Sequence, residues 1–75
     1  MNKNRRNKLD IVVAQLKEIA TSLEQIKDEE DEARENMPEN LESSEQYETS
    51  EKCSDAIEDA ISNVEEAIEN ITEIT

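Results

Sequence analysis

Glu39, Glu42, Glu45, Glu48 and Glu51 recur at every third position, and Asp28, Glu29, Glu30, Asp31, Glu32 and Glu35 lead up to them. Between residues 28 and 51 eleven carboxylates stand against the single base Arg34. Paired carboxylates can run general acid–base chemistry, but only in a pocket that drives their pKa values apart. Carboxylates on exposed helices have no such pocket, so no catalytic role is expected. The other chemistry open to them is electrostatic. A dense file of carboxylates can imitate a phosphate backbone and draw in a basic nucleic-acid-binding protein through long-range attraction and counterion release. The competing reading is a solvated face, because any amphipathic helix needs a polar side. Against it, Glu30–Arg34 and Glu48–Lys52 are the only obvious i,i+4 pairs nearby, and unbalanced charge costs stability through self-repulsion. The candidate partner-binding residues are Asp28, Glu29, Asp31, Glu32, Glu35, Glu39, Glu42 and Glu45.

A second cluster has the opposite sign. Lys3, Arg5, Arg6 and Lys8 form a basic arm over residues 1–8 and are candidate anion-binding residues. No aromatic is interleaved to stack on bases, so direct nucleic-acid binding is not expected. The arm can instead neutralise Glu65, Glu66, Glu69 and Glu73 at the far end of the chain, which would offset charges badly placed on each helix dipole. The chain has no His and one Cys, which leaves neither a zinc site nor an internal disulfide. No metal or cofactor is expected. Cys53 has no cationic neighbour to activate it and reads as a small core residue. Tyr47, the only aromatic, is expected to pack against Leu41 and Ala33.

The elements that carry these residues follow from apolar spacing. Leu9, Val12, Leu16, Ile19, Leu23 and Ile26 step by 3, 4, 3, 4 and 3, a heptad seam that continues in register to Glu30, Ala33 and Met37. Ile57, Ile61, Val64, Ile68 and Ile71 form a second seam, which extends backwards to Ser54, Ser50 and Tyr47. Beside it run Cys53, Ala60, Ala67 and Ile74, seven residues apart. Pro38 biases Met37 away from helical geometry, and Ser43 with Gln46 fits a capping box. The expected fold class is all-α: helix 1 over 9–36, a turn over 37–43 and helix 2 over 44–75, forming one antiparallel, coiled-coil-like hairpin about 45 Å long. Ile26 should lie near Cys53 and Ser54. Ile11, Val13, Ala20 and Ile74 should remain as outer apolar flanks, through which two hairpins would close as a four-helix bundle. A homodimer is expected.

Charge and size bound the rest. The formal net charge is −13, with +4 in residues 1–8 and −17 in the remainder. At 75 residues one core rarely leaves more than roughly 3–5 kcal/mol without a metal, a disulfide or a partner. The longest apolar run, Ile11 to Ala14, is far too short for a membrane span. No signal-peptide pattern follows the basic start, and a lone Cys suits a reducing compartment, so a location in the host cytosol, with no membrane partner, is expected.

The opening MNKNRRNKLDIVVAQLKEI, the turn ENMPENLESSEQYE and the closing AIEDAISNVEEAIENI together resemble small acidic helical-hairpin proteins of bacteriophages and prophages. The resemblance spans most of the chain. It implies a phage setting and a helical hairpin, and it carries no activity or site residues with it. Taken with the acid cluster, the expected function is inhibition of a host nucleic-acid-binding, anti-phage defence protein through a DNA-mimic-like surface. Two other functions fit the same sequence: an assembly module that recruits a partner helix through its apolar flanks, and a nucleotide-sequestering oligomer that uses the basic arm.

Overall fold

In the computed structural model, which describes residues 1–38 and 44–75, α1 (Lys3–Glu35) runs antiparallel to α2 (Glu45–Ile74). These are the helices among the described residues, and they pack against each other along their length. The rod measures 59 × 14 × 12 Å over its Cα atoms and has a radius of gyration of 17.3 Å, against about 11 Å for a compact chain of this length. It is longer than the apolar seams alone suggest because α1 begins at Lys3 and not at Leu9. The Asn2 Oδ1 accepts the Arg5 backbone N–H at 2.9 Å and caps the helix there. Lysine and arginine are good helix formers, so the basic arm becomes the exposed first two turns of α1.

The other helix ends also have local causes. Asn36 closes α1 with its N–H turned back to the Glu32 carbonyl at 3.1 Å, and Pro38 follows without a donor. At the start of α2 the cap is Ser44, whose Oγ accepts the Tyr47 N–H at 3.2 Å. The capping box expected from Ser43 and Gln46 does not form around this cap, since Tyr47 occupies the position that would return a side chain. Ser43 itself lies outside the described residues. Capping from Ser44 places both Glu45 and Glu48 in the first turn, where the helix dipole favours carboxylates.

Packing keeps one predicted seam and changes the other. On α2, Tyr47, Ser50, Ser54, Ile57, Ile61, Val64, Ile68 and Ile71 are all buried or half-buried, as their spacing predicts. On α1 the leucines Leu9, Leu16 and Leu23 turn inward, but their companions are Val13, Ala20 and Lys27. Val12, Ile19 and Ile26 are instead 38%, 48% and 51% exposed. Of the residues expected on the outer flanks, Val13 and Ala20 therefore belong to the interface, while Ile11 and Ile74 stay exposed. Because the leucines stay inward and only their companion file changes to the one about 100° further round, the centre of the interface on α1 turns by about half that arc. Cys53 moves out of the core for a related reason: it flanks the α2 seam and is exposed.

The resulting core is thin. Ala20 and Ile61, each 8% exposed, are its only buried hydrophobic residues among those described. Two helices cannot enclose a side chain on all sides, so every other apolar residue among those described keeps one edge in water. Ala20→Glu should therefore abolish the hairpin: an unpaired charge on the interface costs about 3 kcal/mol, most of what a chain of this size holds in reserve. Ile11→Glu, on the outer face, should change stability by less than about 0.5 kcal/mol. Helical ellipticity followed through thermal melts of the two variants checks both, and an intact melt for Ala20→Glu would contradict this register.

Candidate functional site

Near the turn the interface becomes polar, and the polar groups are fully matched. Asp31 Oδ1 accepts the Ser54 hydroxyl at 2.6 Å and Arg34 Nη2 at 2.9 Å. Asp31 Oδ2 accepts Lys27 Nζ at 2.9 Å. Arg34 Nη1 crosses to α2 and donates to Ser54 Oγ at 2.9 Å and Ser50 Oγ at 3.2 Å. Ser54 is 4% exposed and Ser50 8%, yet no buried side-chain polar atom among the described residues lacks a partner. Five side chains from two helices thus form one clasp.

The clasp tunes its members. The Ser54 hydroxyl, then Lys27, and after them Arg34 hold the Asp31 carboxyl well below the usual carboxylate range, against a smaller opposing pull from desolvation. The hydrogen bond to Asp31 raises Lys27 and Arg34 above their ordinary values. Asp31, a candidate partner-binding residue from sequence, is therefore spent inside the fold. The expected Glu30–Arg34 pair does not form because Arg34 is turned to Asp31 and α2 instead, and Glu48 and Lys52 do not pair either. The ion pairs among the described residues are Lys27–Asp31 and Arg34–Asp31.

The other candidate acids do not make one patch. Asp28, Glu29, Glu32, Glu35 and Glu45 are exposed, while Glu39 and Glu42 lie outside the described residues. Asp28 joins a groove between the helices whose other acids are Glu24, Glu58 and Glu65, floored by Ile61 and Ser62. The one cation in this groove, Lys27, is already held by Asp31. The opposite flank carries Glu30 beside Glu45, Gln46 and Thr49 near the turn, then Ile26 beside Cys53 and Ile57. The approach of Ile26 to Cys53 agrees with the sequence; the solvent exposure of both does not. Glu24, Glu58 and Glu65 were missed because they are distant in sequence. The heptad count could have found them, since Glu58 and Glu65 are seven apart beside the α2 seam.

At the open end Lys3, Arg5, Arg6 and Lys8 are exposed. Among the described residues they make no ion pair with Glu65, Glu66, Glu69 or Glu73, so the mutual neutralisation expected of the two ends is not seen. Tyr47 is half-buried, whereas Ala33 is exposed and Leu41 lies outside the described residues. No group of three or more metal-ligating side chains comes together among the described residues, and no helix there is long and apolar enough to cross a membrane. Comparisons with protein-family models, with curated proteins and with solved structures find no match.

The clasp makes a testable statement about pH. A carboxyl whose folded pKa is depressed contributes stability that is present above its unfolded pKa, about 3.9, and is lost as pH falls through the folded value. Asp31→Asn should lower Tm by several degrees at neutral pH. The gap to the parent should persist to about pH 4 and close only in stronger acid. Thermal melts of both proteins across that range check this; a gap that closes between pH 6 and pH 5 would rule the assignment out.

Proposed function

We propose that this chain is a binding protein that pairs with a second copy and engages a basic, nucleic-acid-binding protein through its acidic flank. The observation that best supports this is the groove of Glu24, Asp28, Glu58 and Glu65, in which the only cation is already committed to Asp31. An arriving arginine or lysine meets carboxylates with no resident base to displace, between walls that focus the field. Charge density points the same way. The chain places 21 acids along 59 Å, about one per 3 Å, within a factor of about two of the one charge per 1.7 Å in duplex DNA. The resemblance to small phage proteins suggests a host defence protein as the target, with inhibition by occupation of its nucleic-acid channel.

A competition assay tests this. A fluorescent DNA duplex is bound to a sequence-nonspecific basic DNA-binding protein, and the chain is added at about 50 and about 300 mM salt, with poly-glutamate of equal charge as the control. The chain should displace the duplex at the lower salt, outperform the control, and weaken at the higher salt. Replacing Glu24, Glu58 and Glu65 together with Lys should cut its potency at least about tenfold, each rim charge contributing modestly. Unchanged potency in that triple variant, with helicity intact, would sink the proposal.

A further inference from the structure

We infer that two hairpins pair through the flank opposite the acidic groove and run in opposite directions, with the two-fold axis passing between Ile19 and Ala60. This deepens the dimer in the proposed function and depends on it only for there being a second copy.

The first support is area. A compact monomer of 8.6 kDa exposes roughly 4,700 Å², whereas this chain exposes 5756 Å². The excess, about 1,000 Å², is near the 800 Å² or so that each partner contributes to a standard interface. Part of what the rod leaves exposed is apolar, with Val12, Ile19 and Ile26 between 38% and 51% exposed. Val12, Ile19 and Ile26 are seven residues apart, so they form one stripe along α1. Cys53, Ala60 and Ala67 form the matching stripe along α2, and the two stripes meet where Ile26 lies against Cys53. Small residues on α2 let the same helix of a second copy come close, and Val12, Ile19 and Ile26 on α1 can interlock with the same stripe of its α1. Ile19 is the midpoint of α1 and Ala60 lies at the middle of α2.

The second support, which fixes the direction, is charge. Eleven residues, about three helical turns, to either side of Ile19 stand Lys8 and Glu30, on the same face as Ile19 itself. Glu30 and Glu45 border this flank at the turn end, while Arg5 and Lys8 stand at the open end. Turning a second copy end for end about Ile19 sets Lys8 against its Glu30, Val12 against its Ile26, and Cys53 against its Ala67. A two-fold along the rod would instead set each α1 against the partner's α2 and bring the two turn ends together, with Glu30 and Glu45 of one copy beside those of the other. Like charges in register oppose that arrangement, so the opposed one is favoured. Both acidic grooves then face outward.

The native thiol reports the geometry. Sedimentation at tens of micromolar should give a dimer; a monomer at that concentration overturns the inference. Under a mild oxidant the parent chain should form no covalent dimer, because its two Cys53 residues sit at opposite ends. Ala67→Cys should form one readily, with mass spectrometry linking the peptide around Cys53 to the peptide around position 67. Fourteen residues on one helix separate these positions by about 21 Å, far beyond the roughly 7 Å between Cα atoms that a disulfide allows, so the link must join two chains. Rapid Cys53–Cys53 dimers of the parent, or a dimeric Ala67→Cys chain that fails to cross-link, would each refute the opposed pairing. Because the chain is tested alone, failure of the competition assay leaves this result standing, and failure here leaves the acidic flank untouched.

Discussion

The position of Arg34 over Ser50 and Ser54 is the constraint on which the rest of the hairpin depends. Charged groups between two helices seldom add much stability, because desolvation cancels most of the attraction, but they discriminate sharply between registers. Here Arg34, Asp31 and Lys27 of α1 find every partner they need. Rotating α1 to bring Val12, Ile19 and Ile26 inward would carry Ala33 toward the serines in place of Arg34. Arg34 and Asp31 would then be pulled off the hydroxyls they now engage. Two files compete for the interface beside the leucines of α1, and the polar end decides in favour of the less apolar one.

That competition explains what the sequence could and could not disclose. The seam of α2 was legible because only one file there is rich in isoleucine and valine, and its polar continuation through Ser54 and Ser50 keeps the same phase. On α1, the files Val12–Ile19–Ile26 and Val13–Ala20–Lys27 both accompany the leucines. Heptad counting prefers the first, since isoleucine outweighs alanine and lysine. The information that reverses the choice lies in a four-residue pattern, Asp31 to Arg34, read against serines about twenty residues away. No local periodicity contains it. The same limit applies to the acidic surface. The run from Asp28 to Glu35 is conspicuous in the sequence, yet the helix distributes it around its circumference and commits Asp31 to the clasp. The groove collects Glu24, Asp28, Glu58 and Glu65 from both helices.

Choosing the smaller stripe for the interface has a cost and a consequence. With Ala20 and Ile61 as the only buried apolar residues among those described, the hairpin alone holds little reserve against the repulsion of a chain at −13. The larger stripe is left on the surface, on the side away from the acidic groove. One flank thus suits association through burial and the other suits association through charge. A helix rotated the other way would have hidden the isoleucines and turned the smaller Val13–Ala20 file outward, so the clasp indirectly determines which face is open to self-pairing.

Electrostatics then acts at two length scales. Along the rod, bases gather at the open end and acids toward the turn, and this polarity lets two net-negative chains approach if they are turned end for end. Across the rod, the groove sets Glu24, Asp28, Glu58 and Glu65 beside one base, Lys27, which Asp31 already engages. Within a Debye length of about 8 Å at physiological salt, a target approaching the groove feels those carboxylates and little of the distant bases. The arrangement reconciles two demands that a uniformly acidic helix could not meet. In the proposed pairing the chain would associate with itself despite its charge and still turn its acidic groove toward a basic surface.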